Sequence, residues 1–181
     1  TIVKNTNWTR RFTNINTILR IKEFDDLKHP LLIKLNESAP GTYQHTMGVA
    51  ILAEKCAEAI NANETLAKVG AYYHDIGKIF KPEYFVENQI GGIENKHDLL
   101  TPKKSASIIR GHVTEGIKLA KLYHLPKSIA DFIPMHHGTT LIKFFYAKAL
   151  EEAVDKAEVN EADYRYIGPP PQTKETAILM I

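Results

Sequence analysis

Apolar residues recur along this chain at the three- to four-residue spacing of amphipathic helices, and no segment shows the alternation of a strand. A long helix ending near Asn61 is predicted by the apolar stripe Met47, Ala50, Ile51, Ala57 and Ile60. Thr42, just after Pro40-Gly41, is a suitable N-cap for this helix. A second helix is predicted from about Glu64 to Asp75, and Gly77 stops it.

The second half of the chain predicts more helices separated by irregular segments. Residues 80–100 have no clean period and form a long loop, of the kind that is usually functional. Helix starts are indicated at Thr101-Pro102, Pro126, Leu141 and Thr173, and Pro134 should bend the helix that runs to about His137. The helix from Leu141 should reach about Lys156, and 159–172 should be a loop. The fold class is therefore an all-α bundle of six or seven helices.

The two ends of the chain suggest how it is organised. Residues 1–28 are polar and weakly periodic, with apolar residues at helical spacing in Phe12, Ile15, Ile18 and Leu19, and predict a lead-in arm or helix before a domain at 29–181. The chain has no initiator methionine and ends on the apolar run 178–181. We therefore expect both ends to continue in a longer protein, with the domain truncated at its C-terminus.

Composition narrows the class of protein without revealing its chemistry. With 181 residues, 44% hydrophobic and 24% charged, the chain suits one globular domain with a real core. A net charge of +2 gives no argument for DNA or RNA binding. The single cysteine, Cys56, excludes an internal disulfide and lies among alanines, so we expect it in the core. No run approaches the roughly 18 apolar residues of a membrane span.

A histidine and an aspartate stand side by side at His74-Asp75, and this doublet is followed by Gly77-Lys78. Adjacent helical residues diverge by roughly 100°, so both side chains can reach one centre near a helix end. Imidazole with carboxylate suits iron, manganese or zinc, and a carboxylate can bridge two ions. Lys78 offers a positive charge for a phosphate oxygen.

A second histidine doublet, His136-His137, also ends a predicted helix just before a glycine. His45 and His112 lie on two further helices, and the core of a bundle can gather all these side chains. Taken singly, His45 or His112 is more often a packed or surface residue than a ligand. The two doublets together favour a metal site, and the residues by themselves indicate a two-metal phosphoester hydrolase.

Several long stretches carry a family resemblance. They are 29–32 (HPLL), 39–45 (APGTYQH), 70–78 (GAYYHDIGK), 82–89 (PEYFVENQ), 136–140 (HHGTT) and 168–172 (GPPPQ). Over about residues 29–181 the chain resembles the HD superfamily of metal phosphohydrolases. Within it, the chain is similar to the cytoplasmic HD domain of the bacterial seven-transmembrane HD proteins, the PgpH-type cyclic-di-AMP phosphodiesterases.

The resemblance implies an HD-domain helical bundle that binds two divalent metal ions, iron or manganese. One ion would take His45, His74 and Asp75. The other would take Asp75, His112, His136 and His137, so that Asp75 bridges the two. The family also supplies an aspartate from the helix that follows the 168–172 loop, and this residue is due just past Ile181. We therefore expect the last ligand of the family to lie beyond Ile181.

The activity implied by the resemblance is hydrolysis of cyclic-di-AMP to the linear dinucleotide pApA. Asp75 and Lys78 would be catalytic. Substrate contacts are expected from Lys78, Tyr84, Phe85, Thr139 and Thr140. The resemblance also implies an N-terminal transmembrane region, which would place the domain at the cytoplasmic face of a bacterial membrane. The oligomeric state is left open.

Three alternatives stay open. Hydrolases of cyclic-di-GMP follow the histidine pair with an acidic residue and a Gly-Tyr-Pro signature, where this chain has Gly138-Thr139-Thr140. A one-metal nucleotidase acting on mononucleotides or (p)ppGpp would not need His112 or the His136-His137 pair. A non-catalytic cyclic-dinucleotide sensor is the third, and the intact His74-Asp75 doublet argues against it.

Overall fold

A computed structural model describes residues 19–89 and 95–180, and this part of the chain is helical. Residues 19–23 are helical, and eight α-helices follow them within the described residues. They are α1 Pro30–Ser38, α2 Pro40–Ala59, α3 Glu64–Tyr73, α4 Pro102–Leu122, α5 Lys127–Ala130, α6 Phe132–Met135, α7 Lys143–Glu152 and α8 Lys174–Ile178. The prediction of an all-α bundle is confirmed. Of the lead-in segment, Phe12, Ile15 and Ile18 lie outside the described residues.

Short 3-10 helices fill much of the rest of the chain. They are Ile76–Phe80, Pro82–Tyr84, Val86–Asn88, Lys96–Leu99, Lys156–Glu158 and Glu161–Tyr164. The predicted loop at 80–100 is thus a series of single turns in its described parts. The part of the chain that the structure describes contains no helix both long and apolar enough to cross a membrane.

The α2–α3 pair packs through small residues. Ala50, Ala53 and Ala57 are buried against α3, where Ala67 and Ala71 face them. Alanine on both helices lets the backbones approach closely, and the larger neighbours on α2 point outward. Ile51 and Ile60 are therefore 64% and 45% exposed, and Cys56 is also exposed. Placing these three residues in the core was wrong.

The larger core cluster lies between α1, α3 and the segment after α3. Its fully buried members include Leu31, Leu35, Val69, Tyr73 and Ile76. Val69 and Tyr73 lie on the buried face of α3. This cluster fixes the C-terminal end of α3, which is where the first histidine doublet emerges.

Glycine allows the segment after α3 to lie directly on α4. A Cβ added at Gly77 would come within 1.8 Å of the backbone oxygen of His112, so a side chain cannot fit there. Because Gly77 touches the backbone of α4 at His112, the Ile76–Phe80 turn and the middle of α4 are held together. Two of the histidine-bearing segments meet at this contact.

Several helix boundaries in the structure differ from those predicted. Ala39 is the N-cap of α2, and Thr42 is a buried residue in its first turn. Helix α3 ends at Tyr73, so Asp75 precedes a 3-10 helix. The predicted bent helix before Gly138 is two short helices, α5 and α6, which explains eight helices where six or seven were predicted.

The remaining helix starts are close to prediction. Thr101 caps α4 by accepting a hydrogen bond from the Lys104 backbone N–H, and Thr173 caps α8. Helix α7 is shorter than predicted, since it covers Lys143–Glu152 rather than Leu141 to Lys156.

Candidate metal centre

The structure gathers the six predicted metal ligands into two adjacent groups. His45, His74 and Asp75 form the first group, and His112, His136 and His137 form the second. Within each group, one potential ligand atom per residue lies within 4.8 Å of the others. These residues come from α2, the end of α3, α4 and the end of α6, so the tertiary fold rather than local sequence brings them together.

The carboxylate of Asp75 joins the two groups. Its Oδ2 lies 3.2 Å from Nε2 of His74, and its Oδ1 lies 3.4 Å from Nε2 of His112 and 3.5 Å from Nε2 of His136. Asp75 is 2% exposed, and its Oδ1 accepts no hydrogen bond within the described residues. A buried carboxylate oxygen that faces imidazole nitrogens in this way fits a metal ligand.

Three histidines are oriented by their own helices. The Nδ1 atom lies 2.7 Å from the Ala71 carbonyl in His74, 2.6 Å from that of Ile109 in His112, and 2.8 Å from that of Ile133 in His136. Each carbonyl belongs to the residue three positions earlier. An Nδ1–H that donates to a carbonyl leaves the Nε2 lone pair directed at the centre, as in metal-binding histidines.

The protonation states also suit a divalent cation. Burial lowers the pKa of His112 to about 4 and that of His137 to about 2, and it lowers the pKa of His136 as well. For Asp75, burial opposes ionisation, but His74 and Lys78 outweigh it and hold the pKa well below its usual value. Neutral imidazoles around an ionised carboxylate are the forms that bind metal.

Lys78 lies between two carboxylates. Its Nζ is 2.8 Å from Oδ2 of Asp75 and 2.7 Å from Oε1 of Glu87. Burial lowers the pKa of Lys78, but the two carboxylates raise it by more, so the ammonium keeps its charge. Thr42 Oγ1 donates to the same Glu87 oxygen at 3.0 Å, and Asn88 donates to Thr42 Oγ1 at 2.7 Å.

The roles of Thr42 and Glu87 in this Lys78 network were not predicted from the sequence. Thr42 anchors Glu87 instead of capping a helix, and Glu87 reaches the centre from a turn nine residues beyond Lys78. A Cβ at Gly41 would lie 1.8 Å from the Glu87 carbonyl oxygen, so glycine allows the two backbones to touch. The stretches 39–45 and 82–89 therefore meet at the site.

The two aromatic residues predicted to contact substrate lie in different surroundings. Phe85 is 6% exposed and meets the His112 ring edge-on at 5.7 Å, with Lys78 Nζ 4.9 Å from its centroid. Tyr84 packs instead against His97, at 5.2 Å between centroids. His97 Nε2 lies 2.9 Å from the Tyr84 carbonyl.

A third aromatic, Tyr166, supports the second histidine pair. Its ring stacks on His137 at 4.0 Å between centroids and an angle of 18°. Burial raises the pKa of its hydroxyl. No local pattern predicts this contact, because Tyr166 lies in an irregular segment 29 positions beyond His137.

Thr139 and Thr140 follow the histidine pair as exposed residues, after Gly138 at φ +52°. Thr140 Oγ1 donates to the His137 carbonyl at 2.8 Å, and Arg165 donates to the Thr139 carbonyl at 3.0 Å. These hydrogen bonds hold the turn at residues 138–140 in place, where the chain runs away from the site. Contact of either threonine with substrate stays a prediction.

The chain is similar to known proteins of one family. The HD domain family matches residues 42–181. The cyclic-di-AMP phosphodiesterase PgpH of Listeria monocytogenes is 54% identical over 165 residues, which are 91% of this chain and 22% of that protein. PgpH of Bacillus subtilis is 46% identical over 167 residues, 92% of this chain and 23% of that protein. The chain thus spans less than a quarter of the length of these relatives.

Solved structures extend the likeness to the fold. The HD domain of L. monocytogenes PgpH has a TM-score of 0.77 at 55% identity, over 84% of this chain and 70% of that one. The same HD domain in complex with cyclic-di-AMP has a TM-score of 0.80 at 54% identity, over 86% of this chain and 71% of that one.

Proposed function

This chain belongs to the HD domain family, and from that premise we propose that it hydrolyses cyclic-di-AMP to pApA with two divalent metal ions. The observation that carries the proposal is the Asp75 carboxylate, buried between two groups of histidines with an oxygen facing each. Relatives at 54% and 46% identity are cyclic-di-AMP phosphodiesterases. Iron or manganese suits a site of imidazole and carboxylate ligands.

The proposed ligand map assigns His45, His74 and Asp75 to one ion. The other ion takes His112, His136, His137 and the same Asp75. Two ions held by these residues would supply an activated water and would neutralise charge on the phosphate. The Asp75 carboxylate is buried between the two groups and ionised, so it can be a ligand of both ions at once.

Lys78 has one donor left for the substrate in this proposal. An ammonium has three N–H groups, and Asp75 and Glu87 each accept one. The third can donate to a non-bridging phosphate oxygen, where it stabilises the charge that develops as water adds to phosphorus. The bond from phosphorus to the ribose 3′ oxygen breaks, and that oxygen gains a proton, which gives pApA.

The substrate assignment rests on the likeness to PgpH, whose HD domain has been solved with cyclic-di-AMP. Cyclic-di-GMP is the second candidate, and the Gly138-Thr139-Thr140 sequence after the histidine pair argues against it. Tyr84, Phe85, Thr139 and Thr140 are proposed substrate contacts, and Phe85 has the strongest support because it touches His112.

The cellular setting is part of the proposal. The PgpH relatives are more than four times as long as the matched segment. We place residues 29–181 as the phosphohydrolase domain of a longer bacterial protein, anchored by an N-terminal transmembrane region at the cytoplasmic face of the membrane.

Metal analysis combined with a turnover panel tests the function. We expect two iron or manganese ions per chain, turnover of cyclic-di-AMP to pApA, and slower turnover of cyclic-di-GMP. Faster turnover of cyclic-di-GMP would overturn the substrate and leave the metal chemistry standing. Tight binding of cyclic-di-AMP without turnover in the metal-loaded protein would identify a sensor instead.

A further inference from the structure

A cavity of about 390 Å³ borders the candidate metal centre on the side of α4. Its wall includes Phe80, Lys81, Phe85, Lys104, His112 and Glu115. The volume lies at the lower end of the roughly 300–1,000 Å³ range of small-molecule sites, which suits one nucleoside with its phosphate. His112 is the one proposed metal ligand in this wall, so the α4 cavity reaches the candidate metal centre at His112.

Two lysines, Lys81 and Lys104, give the α4 cavity a positive charge. Neighbouring lysines are neutralised, Lys96 by Glu83 and Lys103 by Asp163. Among the described residues, no carboxylate lies within ion-pair distance of Lys81 or Lys104. Cationic side chains with no acidic partner favour a bound anion.

The position of Lys104 strengthens this argument. It lies in the first turn of α4, a helix of 21 residues with no acidic residue in that turn. The positive end of a helix dipole disfavours a lysine, so Lys104 costs the helix some stability. The same arrangement adds the helix field to the lysine charge and attracts an anion to the mouth of the cavity.

The cavity also has an aromatic surface. Phe80 is 52% exposed although it follows the buried Ile79, and Phe85 closes the wall toward His112. An accessible phenyl ring beside two cations suits a nucleobase with its phosphate. The wall also carries the carboxylate of Glu115, which is paired with Lys118 at 2.7 Å.

We propose that the α4 cavity binds the half of the cyclic dinucleotide that is not cleaved, with Lys81 and Lys104 contacting its intact phosphate and Phe80 stacking on its adenine. This inference rests on the proposed function. A cyclic dinucleotide has two phosphates, and only one can lie at the metal centre. The second phosphate and its nucleoside need a separate cationic and aromatic subsite, and this cavity supplies both features next to His112.

Two substrates distinguish a defect in this subsite from a defect at the metal centre. Bis(p-nitrophenyl) phosphate has one phosphate and no nucleoside, so it tests the metal centre alone. We expect Lys81→Met, Lys104→Met and Phe80→Ala each to raise KM for cyclic-di-AMP about tenfold, the value of one charge-assisted or stacking contact, with kcat nearly unchanged. Turnover of the small diester should match wild type in all three variants.

Matched controls use the same residue types at exposed positions outside the cavity. Lys121→Met removes an exposed lysine from the last turn of α4, roughly 25 Å from Lys104 along the axis, and Phe144→Ala removes an exposed ring outside the cavity. Neither should change KM. An unchanged KM in the three cavity variants, or an equal loss with the small diester, would overturn the subsite.

Binding of a hydrolysis-resistant phosphorothioate analogue of cyclic-di-AMP tests the subsite without turnover. We expect the Lys81→Met/Lys104→Met double variant to raise its Kd at least about tenfold in the metal-loaded protein. An equal Kd contradicts the subsite even if the wild type hydrolyses cyclic-di-AMP. A wild type that binds through these lysines without cleaving the natural compound supports the subsite and overturns the hydrolase.

Discussion

The two halves of the metal centre differ in how firmly the fold holds them. In the His112, His136 and His137 half, two rings are 3% and 5% exposed, and backbone carbonyls fix their Nδ1 atoms. In the His45, His74 and Asp75 half, His74 and Asp75 are equally buried, but His45 is exposed near the start of α2. We call the His112, His136 and His137 group the buried half and the His45, His74 and Asp75 group the open half. We expect the buried half to hold its ion firmly and the ion in the open half to stay accessible to water and substrate.

The largest effect should come from the residue that the two halves share. Asp75→Asn keeps the shape of the side chain but removes its charge. We expect loss of both metals and a fall in turnover of more than about 100-fold, because residues that only orient a metal ligand already contribute up to about that much. Elemental analysis and turnover measure this, with the surface variant Asp131→Asn as control. Two retained ions would show that Asp75 is not the bridge.

A change within the buried half should remove one ion. His136→Ala deletes a ring that is 5% exposed and held by the Ile133 carbonyl. We expect about one metal per chain after dialysis, and added metal should not restore turnover because the deleted ligand leaves a buried gap. Retention of both ions would contradict the assignment of this half.

A change within the open half should be milder and reversible. His45→Ala removes an exposed ligand whose place water can fill. We expect the metal affinity of that position to fall at least about tenfold, and excess manganese to restore most of the turnover. If excess metal rescues His136→Ala but not His45→Ala, the contrast between the halves is reversed.

Glu87→Gln should change rate without changing metal content. It removes the charge that holds Lys78 from the side opposite Asp75, at 2.7 Å. We expect kcat to fall about tenfold, as is typical of positioning residues, while two ions remain bound. Glu83→Gln, which breaks the exposed pair with Lys96, is the matched control. Loss of metal would show that Glu87 supports the ligands and not the lysine.

The buried half should also make the metal-free protein sensitive to acid. Burial lowers the pKa of His112 to about 4, below its ordinary value of 6.5. Between these values the unfolded chain binds more protons than the folded one, so stability falls as pH drops through that window. We expect Tm of the chelated protein to drop from pH 7.5 to pH 5, by roughly 2–4 °C per kcal/mol lost. An unchanged Tm would contradict the neutral buried histidine, and His112→Gln should weaken the dependence.

Local sequence patterns predicted much of the fold and the two histidine doublets, whereas the full set of six candidate ligands, with His45 and His112, came from the family resemblance. Histidine doublets at helix ends are visible in a sequence, because adjacent residues near a terminus can share a centre. Glu87 and Tyr166 were given no role at the centre, since each reaches it from an irregular segment through a tertiary contact. Ile51 and Ile60 were misplaced because alanines form the buried face of α2.

The central claim is that two ions share one carboxylate, and anomalous diffraction tests it directly. Crystals of the manganese-loaded protein, measured on either side of the manganese edge, should show two peaks, one among His45, His74 and Asp75 and one among His112, His136 and His137, with the Asp75 carboxylate between them. A single peak, or two peaks of which one does not touch Asp75, would contradict the account.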